Sequence, residues 1–400
     1  MPSSFTRNAI VLGLLTAIGP FAIDMYLPAL PAISAHLEAS TAATQATLMA
    51  FFVAFGICQI AYGPISDMVG RKPPLYVGLS LFFVASIGCV FSPTIGWLIA
   101  FRFLQGVGAS AIMVVPRAII RDLHTGLDAT RLMSLVMLVF SVSPILAPLI
   151  GSALIVPFGW RAVFVAISMA AALGLLLVAF VLPETRPPQQ RIKSSLKSVL
   201  AGYSILILDR HFLALTFIGA FGMASFFAFL ASSSFIYINH FGMTPTQYSL
   251  AFAINAIGFI GASQFSATLS QRFGVSRVVS IAVGSYTAMA ILLFVITAAG
   301  VADLAVLMTL IFLAFAWLGL VIPLTMVLAL EEHGRIAGMA SALGGTLQML
   351  TGAAVIVAVS LFFDGTALPM VATIALCALA AFTLSRFTLR GGTMVAKPAE

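Results

Sequence analysis

The sequence predicts an all-α integral membrane protein with twelve transmembrane helices in two six-helix halves, and three observations carry that prediction. Of its 400 residues, 61% are hydrophobic and 8% charged. A soluble domain carries about 25% charged residues, so this chain has too little polar surface to cover itself in water. Cutting at polar and turn clusters leaves twelve apolar segments, each near the ~20 residues that cross ~30 Å of hydrocarbon. The longest polar break, 183–210, divides them six and six. The same composition excludes disorder, a collagen-like repeat and a disulfide scaffold.

The segments are helices because every backbone polar group in a bilayer must be satisfied within its own segment, and the alternation of a barrel strand is absent. Span 1 (8–34) contains Pro20, Pro28 and Pro31, each of which removes a backbone bond and bends a helix. Its residues 10–23 have the size of a signal-peptide core, yet the apolar stretch continues through Asp24 to Pro31, so it reads as a retained span. Span 2 (44–66) leads into GPISDMVGRKPPL (63–75), and span 3 (74–92) follows. Span 4 (96–120) carries Arg102, Gln105 and Pro116; span 5 (131–157) carries Pro144, Pro148 and Gly151; span 6 (160–182) closes the first half.

The domains are then 1–182, a linker 183–210, and 211–400. Within the linker, RIKSSLKSVL sets basic residues beside apolar ones, which suits either a helix on the membrane surface or a solvated connector. Span 7 (211–238) holds FFAFLASSSFIYI (226–238), span 8 (246–270) holds Asn255, and span 9 covers 276–299. Span 10 (302–330) contains Pro323, span 11 (335–362) has a small face of Gly338, Gly344, Gly345 and Gly352, and span 12 covers 367–387. Cys58, Cys89 and Cys377 lie in apolar runs and read as packing residues, with no redox or metal role.

Orientation follows from the cations. With the N-terminus inside, 17 of the 19 Lys and Arg fall at or near the cytoplasmic side; Arg161 is the outside exception and Arg102 lies within a span. The positive-inside rule therefore places both termini in the cytoplasm. The net charge of +7 is a topology signal favouring anionic lipid headgroups, not evidence for nucleic acid. A weak repeat supports two halves: Ser66, Gly70 and a basic residue of 63–75 recur as Ser270, Gly274 and Arg277 of 267–279, an offset of 204.

GPISDMVGRKPP resembles the cytoplasmic-loop signature of the major facilitator superfamily. IDMYLPALPAI (23–33), RFLQGVGASA (102–111) and SPILAPLIGSAL (143–154) resemble one branch of it, the bicyclomycin/chloramphenicol-resistance group of twelve-span drug:proton antiporters. The fifth-span Gly-Pro motif of antiporters is imperfect, with Ala147 before Pro148 and Gly151 after it. The resemblance implies the major facilitator fold, a monomer in a bacterial inner membrane, and no cofactor beyond a proton gradient. It also implies a conformational latch of Gly63, Asp67, Gly70 and Arg71 favouring the outward-facing state, with Asp122 as partner of Arg71. Pro144, Pro148 and Gly151 are its expected hinge.

Among the twelve Asp and Glu, Asp24 is the one deep in a span, about ten residues or ~15 Å from the outer end. A carboxyl group there is by default functional, and it is the candidate proton carrier. Arg102 lies ~10 Å deep from the same side, so either it pairs with Asp24 or it bonds to carbonyls and amides of its own half, such as Gln105. Candidate substrate contacts are Asp24, Tyr26, Arg102, Gln105, Phe227, Ser234, Tyr237 and Asn255, which mix apolar faces with hydrogen-bonding tips.

The sequence thus predicts a proton-coupled exporter of small drug-like molecules working by alternating access. A proton symporter or uniporter for a metabolite is the alternative. An enzyme or ATP-driven pump is disfavoured, because His36, His124, His211, His240 and His333 lie in loops or span ends and no metalloprotease or phosphate-binding motif is present. A channel would need rings of repeated polar residues.

Overall fold

A computed structural model describes residues 4–124, 126–191 and 196–390. All elements among them are helical. Spans 1 to 6 are Phe5–His36, Thr41–Val69, Lys72–Val90, Ile95–Leu123, Gly126–Phe158 and Arg161–Phe180; spans 7 to 12 are Arg210–His240, Pro245–Phe273, Val275–Ala298, Leu304–Glu331, Ala337–Leu361 and Leu368–Leu389. Each expected segment has its helix, and span 5 begins a turn earlier than expected, at Gly126. Polar caps mark several starts. Asp209 accepts from the His211 and Phe212 N–H groups, Asp303 accepts from Val306 N–H, and Thr244 and Gln247 form a capping box.

The halves repeat their packing. Span 4 lies against spans 1, 2 and 3 as span 10 lies against spans 7, 8 and 9; span 1 also packs on spans 5 and 6 as span 7 packs on spans 11 and 12. Lipid is as apolar as the side chains, so helix association depends on close approach and dispersion rather than on burial from water. Two equivalent glycines provide that approach. A Cβ on Gly106 of span 4 would stand 2.3 Å from the Phe51 carbonyl oxygen of span 2, and one on Gly319 of span 10 would stand 2.1 Å from that of Phe259 in span 8.

Contacts between halves run along spans 2 and 11 and along spans 5 and 8. At mid-depth Thr346 Oγ1 donates to the Gly56 carbonyl at 2.7 Å. Toward the far side, opposite the N-terminus and linker, Gln45 Nε2 donates to the Ala231 carbonyl (3.0 Å) and Ser249 Oγ to that of Pro148 (2.8 Å). The far side is thereby closed. Arg161, the outlying far-side cation, donates to the Val90 and Ser92 carbonyls and stacks on Trp160.

The linker helix runs Leu196–Leu208, farther along than RIKSSLKSVL, whose residues 192–195 lie outside the described ones. It buries Tyr203 and Leu206 and exposes Leu200, Ile205, Ile207 and Leu208, so its outward face is apolar. Tyr203 Oη donates to the Ile60 carbonyl of span 2 at 3.3 Å.

Candidate functional site

Span 1 is not one helix. Its first part, Ser4–Asp24, stops at Asp24; a 3-10 turn, Leu27–Ala29, leads into a second helix, Leu30–His36. Pro28 has no N–H to offer the Asp24 carbonyl, and Pro31 none for that of Leu27, so the break is written in the prolines. A Cβ on Gly151 of span 5 would lie 2.3 Å from the Met25 carbonyl oxygen; glycine there lets span 5 close against the break. Span 5 itself is helical from Gly126 to Phe158, through Pro144 and Pro148.

Arg102 braces the break from behind. Its Nη1 donates to the Ala22 carbonyl (3.1 Å) and to Gln105 Oε1 (2.9 Å), while Gln105 Nε2 donates to Ser86 Oγ at 2.8 Å. The guanidinium lies 4.6 Å from the ring centres of both Tyr26 and Phe51, a geometry in which a cation gains from the ring faces. Tyr26 Oη shares a 2.8 Å bond with Thr47 Oγ1 of span 2. Of the two alternatives for Arg102, the structure shows the second: its bonds go to its own half and none goes to Asp24.

Asp24 faces the other way, into a cavity of about 200 Å³ between the halves. The wall is aromatic and sulfur-rich: Phe51, Phe52 and Phe55 from span 2, Phe226 and Phe227 from span 7, Phe259 from span 8, with Met113, Met223 and Met349. Phe52 and Phe227 stack across the halves with centroids 4.2 Å apart. Among the described residues no hydrogen bond or ion pair holds the Asp24 carboxylate. A second space of about 790 Å³, lined by Arg121, Met137 and Gln264, shares Ser141 and Ile260 with this cavity and leads toward the linker side.

At the linker-side ends of spans 2, 4 and 6 lies a network of charges. Arg71 grips Asp122 with Nε (2.7 Å) and Nη2 (3.1 Å), and its Nη1 meets Asp67 at 2.8 Å and Ser66 Oγ at 2.7 Å. Arg186 adds a 3.0 Å contact to Asp67. Glu184 accepts from the backbone N–H groups of Arg71, Lys72 and Arg186 at 2.9, 3.0 and 2.9 Å. Burial alone would raise the Glu184 pKa, but those three N–H groups and the Arg191 charge outweigh it and hold the carboxyl below its usual range. Burial likewise opposes the charge on Arg71, and Asp122 and Asp67 more than compensate. Gly70, at φ 101°, completes the turn, and a Cβ there would meet Glu184 at 2.8 Å. Gly63 sits two turns earlier, its carbonyl accepting from Ser66 Oγ.

The Major Facilitator Superfamily model matches residues 12–356. The chain belongs to that superfamily. Among its relatives are an uncharacterized MFS-type transporter of Bacillus subtilis, 37% identical over 90% of both chains, and a bicyclomycin resistance protein homologue of Haemophilus influenzae, 30% identical over 92% of both. Multidrug resistance protein D of Escherichia coli is 30% identical over 89% of both. Solved structures share the fold: an inward-facing, unoccupied bacterial homologue of the human lysosomal transporter Spinster (TM-score 0.75, 16% identity, all of both chains) and a D-xylose–proton symporter (TM-score 0.72, 18% identity, 95% of this chain and 97% of that one). The protein is therefore a twelve-span transporter of this superfamily.

The expected substrate contacts fall into separate places in the fold. Asp24 and Phe227 line the cavity, as does Pro144 of the expected hinge. Tyr26, Arg102 and Gln105, expected there too, are wholly buried behind the break, where Tyr26 Oη, Arg102 Nη1 and the Gln105 amide bond within spans 1 to 4. Ser234 and Tyr237 are likewise buried outside the wall, in the far-side closure, where span 7 widens into a π-helical turn at Phe235–His240. Asn255 donates to the Ala251 carbonyl of its own helix. Sequence reasoning missed Phe51, Phe52 and Phe55, whose spacing along span 2 was the available signal, and missed Glu184 and Arg186, which sat unread in the linker as PETR (183–186).

Proposed function

We propose that this transporter exports small amphipathic molecules across a bacterial inner membrane in exchange for protons. The observation that carries the reading is Asp24: one carboxyl group, without a counter-ion, in an aromatic wall between two halves that pack on each other as separate bodies. It can hold a proton or meet a polar substrate group, and competition between the two couples their fluxes. The names of the Haemophilus and Escherichia relatives support a drug-like substrate. Phe and Met side chains adapt to varied shapes, which supports a broad one.

The distribution of Lys and Arg supports a cytoplasmic linker side, with both termini there. Substrate then enters from the cytoplasm while Asp24 releases its proton inward. Opening the far side requires Gln45 and Ser249 to release the Ala231 and Pro148 carbonyls. The side-chain partners of Arg71, which are Asp67, Asp122 and Ser66, all lie in the first half, Glu184 and Arg186 join them from the start of the linker, and the network is intact while the far side is closed. Its role is therefore a brace that keeps spans 2, 4 and 6 one body as the halves rock, rather than a latch for the outward-facing state alone. The protein works as a monomer and draws on the proton gradient with no cofactor.

The test uses proteoliposomes with an internal pH dye, an imposed proton gradient and chloramphenicol as probe. Added drug is expected to trigger proton movement in the wild type and none in Asp24→Asn. Drug flux without proton flux in either protein would overturn the coupling.

A further inference from the structure

Two cations of span 4 have no part in that mechanism. Met113, Arg117 and Arg121 follow one another at four-residue spacing in the continuous helix Ile95–Leu123, so they share one face. Met113 lines the central cavity, and Arg121 lines the wider vestibule that leads from it toward the linker side. Arg117 lies between those two residues along the helix, behind the lining of both spaces.

Neither guanidinium is neutralised. Among the described residues, no ion pair, hydrogen bond or ring contact engages Arg117 or Arg121, and Arg117 Nε is sealed from solvent without an acceptor. The neighbouring Asp122 is taken by Arg71, Arg186 and Thr185. Asp128, at the start of span 5, forms no ion pair with either among the described residues. Like charges four residues apart on a helix repel, and a cation set toward the bilayer interior without a partner marks a functional position. The rest of the vestibule suits an amphipathic guest: Ser134 and Ser141 offer hydroxyls, while Met133, Met137, Leu138 and Ile145 offer an apolar wall.

We propose that Arg117 and Arg121 form a binding site for the carboxylate or phosphate group of an amphipathic anion in the vestibule between spans 4, 5 and 8. A guanidinium pairs such groups through parallel N–H bonds, which a point charge does not. The anion has two possible sources, a soluble ligand entering from the linker side or an anionic lipid headgroup entering between spans 5 and 8. The site rests on the geometry of span 4, so it stands or falls separately from proton-coupled export.

Thermal unfolding of the purified protein in a neutral detergent tests it by binding alone. Benzoate and inorganic phosphate probe the soluble source; phosphatidylglycerol against phosphatidylcholine probes the lipid one. The expected result is saturable stabilisation by benzoate or phosphate, or by phosphatidylglycerol but not phosphatidylcholine, with the responding probe naming the source. Arg117→Gln/Arg121→Gln should weaken the apparent Kd at least tenfold, and Arg117→Lys, which keeps the charge but loses the parallel N–H bonds, by an intermediate amount of about three- to tenfold. Arg121→Gln alone changes an exposed side chain, keeps the fold, and should still weaken binding about threefold. Absence of saturable stabilisation by any anion, or equal affinity in Arg121→Gln and the wild type, would overturn the proposal.

Discussion

The turn after the second span of each half is built on a glycine with positive φ, Gly70 at 101° and Gly274 at 82°, yet the two turns differ in the charges around it. Around Gly70, Arg71, Asp67, Asp122, Glu184 and Arg186 interlock. Around Gly274, Gln271 stands where the repeat places Asp67, and neither Arg272 nor Arg277 has an ion-pair partner among the described residues. A second repeated feature behaves the same way. Phe5 meets His124 edge-on at 5.5 Å in the first half, and Phe212 meets His333 at 5.4 Å in the second, but His333 alone gains a carboxylate, Asp209 at 2.9 Å. Packing is shared between the halves while charge is not. The fold tolerates divergence in polar chemistry because helix–helix distance is set by small residues and dispersion, and the chemistry then settles where one half already has its carboxyl group.

The sharpest way to break this comparison is to exchange chemistry between the halves. Asp24→Asn should lower proton-coupled flux by at least about 100-fold, whereas Asn255→Ala, which alters the principal amide of span 8 outside the cavity wall, should change it less than about threefold; a proteoliposome flux assay reads both. Comparable losses would show that the second half shares the chemistry.

Shared packing predicts the opposite, equality. Gly106→Val and Gly319→Val each force a side chain onto a carbonyl oxygen of the neighbouring helix, and each should destabilise the protein by about 2–3 kcal/mol, read by thermal or denaturant unfolding. A large loss in one and none in the other would mean that the pseudo-symmetry does not extend to the energetics.

The same distinction explains what the sequence disclosed. Segment length and apolarity are local properties, so all twelve spans were legible, and Asp24 stood out because a buried carboxyl group contrasts with everything around it. The pairing of Arg71 with Asp122 came through the resemblance of the loop. Arg102 was harder: depth can be counted along a helix, but the direction a long side chain takes depends on where the neighbouring span breaks, and the freed Ala22 carbonyl is visible only in three dimensions. The cavity wall was hidden for a related reason. With 33 Phe in the chain, composition does not tell a ring facing the other half from one facing lipid.

Charge can be tested by subtraction. Arg71→Ala strips a buried guanidinium from two carboxylates and should cost about 2 kcal/mol, less than a fully buried pair because Asp67 is partly exposed. Arg277→Ala in the second half should cost under about 0.5 kcal/mol. Chemical unfolding of the two variants side by side checks the ratio, and equal costs would remove the Arg71 network as a distinguishing feature of the first half.

The smallest effect is a dependence on pH. Burial works against the Glu184 charge, but three backbone N–H groups and Arg191 overcome it, so its pKa in the folded protein lies below the ordinary 4.5. A depressed carboxyl pKa stabilises the fold above the unfolded value and loses that contribution as pH falls through the folded one. Arg71 stays charged throughout, so the loss belongs to the carboxyl side of the contact. The stability difference between wild type and Glu184→Gln should therefore be flat near neutral pH and shrink as the medium is acidified below about 4.5. Subtracting the two curves removes the contributions of Asp67 and Asp122, which both proteins share. A difference that grows on acidification would reverse the sign and show that the N–H groups prefer the neutral side chain. A constant difference would mean that Glu184 acts by shape alone, filling the space beside Gly70 rather than holding its charge against the turn.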